Sequence, residues 1–257
     1  MSEFDEVRQQ IDWAESRIES ARVEIARYIQ DDAFRLQEDV NPQTGEHVRK
    51  IVLVKDVPIS VKGNLRNAVV DLKHSFDMTL HAATRALGNS RFDKNFPWAD
   101  SPMSVRGIVD KWQCKANTAV AQAIIDEIWR QEPYATGEGY TGGDDLAREI
   151  AKMANNKHSI GIGASAQISS ISIGKIHIDN ARSFSLFQGW NPKKKEMVLS
   201  RHIGVVSYDN PDATGDVVFE RVGRLGPLSA VTTALHFLER AKLCVQGFES
   251  VVRASKG

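Results

Sequence analysis

The apolar residues of this chain change their spacing part-way along, and that change limits the fold more than any other feature. Up to about residue 158 they recur every three or four positions, the period of helices; from Ser159 they alternate, the period of strands. The alternating segments are Ile160-Gly161-Ile162, Ile168 to Ile173, Ile176-His177-Ile178, Phe184 to Phe187, Val198 to Val206 and Val217-Val218-Phe219. Turn residues at Asn191-Pro192, Asn210-Pro211 and Asp212 to Gly215 separate the later ones. The connections are too short for parallel crossovers, so residues 159–222 are expected to form an antiparallel meander of about five strands. Helical spacing returns with Val231, Leu235, Leu238, Val245, Phe248 and Val252, a closing helix over 227–253. Helices, then a sheet, then a helix define an α+β chain.

Within the helical part, Phe4, Val7, Ile11, Ala14, Ile18, Ala21, Ile25 and Tyr28 alternate steps of three and four, an a/d seam on a long helix assigned to residues 1–40. A seam this short lies on a larger core of its own chain more readily than on a second copy. Asn41 to Gly45 is a turn signal, and His47 to Val57 is short and rich in β-branched residues, giving one strand or a hairpin arm ended by Pro58. Leu65, Val69, Leu72, Phe76, Leu80, Ala83 and Leu87 lie on one face of a helix over about 62–87. Further helices are expected over 103–131 and from Asp144-Asp145 to about Asn156. Residues 47–158 thus form a helical core with one strand, and 1–257 reads as a single domain.

Composition removes several functions. With 33 Lys+Arg against 33 Asp+Glu, no overall positive excess exists to release counterions from a nucleic acid, so any such contact is local. The longest uncharged stretch, Ser159 to Gly174, is rich in Gly and Ser and shorter than the roughly 20 apolar residues that span a bilayer. No membrane association is expected. The acidic start at Glu3, Asp5 and Glu6 is unlike a secretory leader, and a cytoplasmic location follows. Cys114 and Cys244 lie too far apart for a CxxC site.

The candidate chemistry sits on the helix carrying Asp71, His74, Asp77 and His81. Residues three or four apart on a helix are neighbours, so these four form a polar strip beside the Leu72, Phe76 and Leu80 stripe. A carboxylate beside an imidazole raises its pKa and orients its ring, which suits acid/base work. His74 and His81 are roughly 10.5 Å apart along the axis, too far for one ion. A metal would therefore use Asp77 with His81, or Asp71 with His74, plus ligands from elsewhere. His158, after Asn155-Asn156-Lys157, is one such ligand.

The run Val70 to Ala83, Phe96-Pro97, Gln131-Glu132-Pro133-Tyr134, and Leu146 to His158 resemble an uncharacterised bacterial protein family. Its members carry G-D-x-x-H-N-L-R-x-x-L-D-H, then F-P, Q-P-Y and N-x-D-K-H, followed by a β meander and a closing helix. The resemblance covers most of the chain after about residue 50 and implies no established activity. The family's Arg and final His form an R-x4-H string similar to the RNase motif of HEPN helical domains, which implies a HEPN-like helical fold. Here those positions fall on Asp77 and Ala82, and an Asp repels a phosphate that an Arg would clamp. Asp71, His74, Lys157 and His158 are the retained elements.

Gly161 to Ala166 matches G-x-G-x-x-A, but the residues after it alternate as a strand and no nucleotide loop or cofactor is expected. Gly137 to Gly143 leads into Asp144-Asp145, which read as caps for their own helix. Lys193-Lys194-Lys195 reads as a solvated hairpin tip. Two functions follow from these residues, with a metal-dependent hydrolase as a third should an ion bind the strip. One is a binding or assembly module, forming a homo-oligomer or meeting a partner protein through its helices, with the polar network fixing how two core helices meet. The other is a nucleic-acid hydrolase with His74 and His158 as acid/base pair, Lys157 on the phosphate and Asp71 behind His74.

Overall fold

The computed structural model describes residues 3–88, 95–113, 119–155, 163–209 and 211–256. The seam helix is α1 (Asp5–Gln30), and a hairpin of β1 (Phe34–Val40) and β2 (Glu46–Leu53) follows it. Then come α2 (Ile59–Ala86), α3 (Pro102–Gln113), α4 (Ala119–Arg130) and α5 (Asp145–Asn155). The strands β3 (Ala164–Ser172), β4 (Ile176–Leu186), β5 (Glu196–Tyr208) and β6 (Asp212–Phe219) precede the closing helix α6 (Ala230–Lys256). The chain is α+β, with long first and last helices and antiparallel strands before the closing helix. Among the described residues no helix is long and apolar enough to cross a membrane.

Two compact units divide the chain: Met1–Ala21, Lys62–Gly163 and Phe219–Gly257 form one, Arg22–Val61 and Ala164–Val218 the other. The first is helical. In it α1 runs antiparallel to both α2 and α6, because Glu3 pairs with Arg85 at 2.6 Å and Arg17 with Asp71 at 3.2 Å, while Arg8 meets Glu249 and Glu15 meets Lys242 at 2.9 Å. The seam residues from Phe4 to Ala21 are all buried, as the in-chain reading of the heptads required. The core centres on Phe76 of α2, with ring centroids 4.9 Å from Trp98 and 5.3 Å from both Phe96 and Phe237 of α6. Burying each such ring contributes about 2–3 kcal/mol, which fixes α2 against α6.

The second unit is built on strands. Its larger sheet has the order β1-β2-β5-β4, every neighbour antiparallel, with Ile51 of β2 opposite Met197 of β5. The β1–β2 turn is the predicted one: Asn41 Oδ1 accepts the Gln43 N–H at 2.9 Å, and Gly45 donates to the Asn41 carbonyl at 2.8 Å. Ile51, Ile168 and Leu199 form its buried centre, with Phe34, Trp190 and Met197 packed on them.

Three boundaries differ from the sequence expectation. The first helix ends at Gln30 and not near residue 40. Asp32 takes a left-handed conformation (φ 56°) and Phe34 to Val40 pair with β2. No Gly or Pro marks that stop, so only the strand partner decides it. The helix expected over 103–131 is described as α3 and α4, with 114–118 outside the described residues. The segments around 176–178 and 184–187 are one strand, β4, because an irregular register between Asp179 and Ser183 breaks the alternation without ending the pairing.

Candidate functional site

The α2 strip separates into two kinds of residue. Asp71, half-buried, faces α1 and lies 3.2 Å from Arg17 Nε. Burial pushes its carboxyl above the usual range, opposed by Arg17, by His74 and by Gln10. Asp77 is buried: one oxygen accepts the Phe96 N–H at 2.8 Å and the other pairs with Lys73 one turn back. His74 and His81 are both exposed. The carboxylates therefore hold helices and a loop, while the imidazoles stand in solvent. His81 borders a shallow dent of about 50 Å³ with Glu3, Glu6 and Arg85. Lys157 and His158 lie outside the described residues. For the Asp77 and His81 metal expectation, the described residues contain no group of three or more His, Cys, Asp or Glu placed to hold an ion.

A second polar network joins α4, α5 and α6. Glu127 is fully buried; it accepts a hydrogen bond from Gln131 Nε2 at 2.5 Å and pairs with Arg130. The Gln131 carbonyl accepts from Arg240, whose Nε lies 3.4 Å from Asp144. His236 Nε2 donates to the same Asp144 oxygen at 2.8 Å. The other Asp144 oxygen accepts the Ala147 N–H at 2.9 Å, the expected N-cap of α5. Asp145 takes the Thr136 N–H at 2.9 Å, the Thr136 hydroxyl at 2.6 Å and Arg224 at 2.5 Å; the Thr136 bonds and Arg224 hold its carboxyl below the usual range. Asp144 and Asp145 thus tie α5 to other parts of the chain, while Glu127 is held by residues at the end of its own helix.

The loop between α4 and α5 builds a different kind of site. Glu132 reaches across it to accept the Gly143 N–H at 3.1 Å. Gly143 has φ +95°, and a methyl group there would lie 2.8 Å from the Ala135 carbonyl oxygen, so only glycine closes this turn. Gly137 makes room for Tyr140: a Cβ on it would come within 2.7 Å of the tyrosine Cζ. The Tyr140 hydroxyl donates to the Ala135 carbonyl at 2.9 Å, and its ring lies edge-on to Tyr134 at 5.9 Å. Tyr134 in turn touches Trp129 in the last turn of α4, at 6.4 Å.

Held this way, Trp129, Gly139 and Tyr140 form one wall of a cleft of about 660 Å³. Its other wall is the start of α3, with Ser101, Pro102, Met103 and Arg106. Ser101 caps α3 by accepting the Ser104 N–H at 3.3 Å, and Pro102 stands where a helix has no use for an N–H. Met103 and Arg106 are one turn apart and so share a face. Met103 is 82% exposed, a large apolar side chain at the cleft mouth. None of these residues was singled out by sequence reasoning. The available signal was the interleaving of Gly and Tyr from Tyr134 to Gly143 after a helix with Trp129 in its last turn.

In the second unit, His47 of β2 and His202 of β5 are register partners, with rings stacked at 4.9 Å and 15°. Glu38 of β1 lies 2.7 Å from His47 Nδ1. Burial, then the neighbouring His47, pushes the His202 imidazole below its usual pKa.

Comparison of the chain with protein-family models, with curated proteins and with solved structures finds no match in any of the three.

Proposed function

We propose that this protein is a small-molecule binding module whose ligand seat is the cleft between α3, Trp129 and the Tyr140 loop. The cleft itself carries this reading: a volume of about 660 Å³ and a lining of Met103, Pro102, Trp129 and Tyr140 with one guanidinium match the size and make-up of small-molecule sites. The state of the α2 strip supports a non-enzymatic role, since Asp71 pairs with α1, Asp77 holds the Phe96 loop and His74 and His81 are solvated.

Thermal unfolding in the presence of a panel of small aromatic and aliphatic acids, amines and neutral rings tests the proposal. At least one class of compound should raise Tm in a concentration-dependent way, by the equivalent of about 2–3 kcal/mol near a hundred times its Kd. Met103→Glu, a change at an exposed position, should abolish that rise, and His74→Ala should leave it intact. The proposal fails if no compound stabilises the protein, or if the protein cleaves RNA and His74→Ala removes the cleavage.

A further inference from the structure

We infer that the ligand of this cleft is a flat aromatic small molecule bearing one anionic group, its ring set between Met103 and the wall of Trp129 and Tyr140 and its charge on Arg106. The inference rests on the binding reading above and names the chemistry of the ligand.

The aromatic part follows from the wall. Trp129 and Tyr140 are each half-buried, so part of each ring surface stays open to solvent. Both are fixed, Tyr140 by its bond to the Ala135 carbonyl and its contact with Tyr134, Trp129 by the same Tyr134. Rigid rings lose little entropy on binding and favour stacked or edge-on partners. Met103 opposite them is unbranched and polarizable, a side chain that adapts to a ring of varied outline.

The anionic part follows from the charges around the cleft. Arg106 is exposed, and among the described residues no carboxylate pairs with it. It projects from a helix whose first turn holds no acidic residue. Asp110, one turn further along α3, is exposed and forms no ion pair with Arg106, and two other carboxylates near the cleft are engaged elsewhere. Asp100, just before α3, pairs with Arg148 at 3.0 Å, and Glu132 holds the Gly143 N–H at 3.1 Å. Glu138 beside Gly139 is exposed on the loop, where water screens it. The Arg130 charge is matched by Glu127. Among the described residues that line this apolar cleft, Arg106 is the one open charge, and its planar fork suits a carboxylate or sulfonate held by two hydrogen bonds. A single guanidinium on a chain with 33 basic and 33 acidic residues is too little for a polyanion such as RNA.

The test compares two probes of one shape on the full chain by calorimetric titration: 2-naphthoate and the neutral 2-naphthalenemethanol. Naphthoate should bind about five- to tenfold more tightly than the alcohol, and Arg106→Gln should remove that advantage while changing the affinity for the alcohol by less than about twofold. Met103→Glu should weaken both and naphthoate the more. Equal binding of the two probes, or naphthoate affinity unchanged by Arg106→Gln, overturns the anion assignment and leaves the binding reading standing. Binding of neither ring, while an aliphatic compound raises Tm through the same cleft, overturns the aromatic assignment alone. Binding of neither with no stabilising compound of any class overturns both.

Discussion

Asp77 shows how a residue can be read correctly as polar from its spacing while its partners lie elsewhere. Its position on α2 placed it between His74 and His81, but the side chain turns to Lys73 and to the Phe96 N–H, so it anchors the loop that carries Phe96 and Trp98 into the core. Asp77→Ala leaves a buried N–H without an acceptor and is expected to cost about 2–4 kcal/mol in urea unfolding; Asp77→Asn, which keeps an acceptor oxygen, should cost less. A loss below about 0.5 kcal/mol for the alanine variant would remove the anchoring role. His202 makes a prediction in pH. Its folded-state pKa is depressed below the ordinary value of 6.5, so below that value the unfolded chain binds a proton that the folded chain refuses. Stability therefore falls as the solution is acidified through about 6.5 and levels off below the folded pKa. The urea midpoint should drop between about pH 7.5 and about pH 5.5, and the drop should shrink in His202→Phe, which keeps a ring against His47 without the titration. An equal drop in both proteins would assign the pH effect to other groups.

At the scale of elements, Gly247 sets how near α6 comes to α4. A methyl group at this position would overlap the Glu127 carboxylate, its Cβ lying 2.7 Å from the carboxyl carbon and 2.9 Å from Gln131 Nε2. Gly247→Ala must push apart helices that share a buried charge network, and a loss of about 1–3 kcal/mol is expected. Shortening the acid relieves the overlap, so Glu127→Asp with Gly247→Ala should lose less than the sum of the two single changes. Strict additivity in that cycle would mean that the two positions do not meet. The α5 start is the contrasting case. Asp144 was legible as a cap because capping is local and depends on three residues. Its bonds to His236 and Arg240 were not, since those residues lie about ninety positions away on another helix.

For the molecule as a whole, the helical unit is assembled from three separated pieces of chain, and its core needs them together. Phe76 packs on Phe237, and Phe96 on Phe248, so the central piece loses the rings that cover Phe76 and Phe96 when α6 is absent. A peptide of residues 62–163 is expected to show helical circular dichroism without a cooperative thermal transition; a sharp transition in that peptide would contradict the shared core. The spacing of apolar residues determined, without any tertiary information, that this chain would be α+β, that the Phe4 to Tyr28 face would be buried, and that Asn41 to Gly45 would turn. Those features depend on neighbours within a few residues, where periodicity and turn chemistry act. Tertiary structure alone decided that α1 stops at Gln30, that β2 pairs with a strand some 150 residues later, that the α2 carboxylates serve packing, and that Trp129, Tyr140, Met103 and Arg106 converge on one cleft. A period reports that a face will be covered; which element covers it, and which charge it leaves open, depends on contacts between distant parts of the chain that no local pattern encodes.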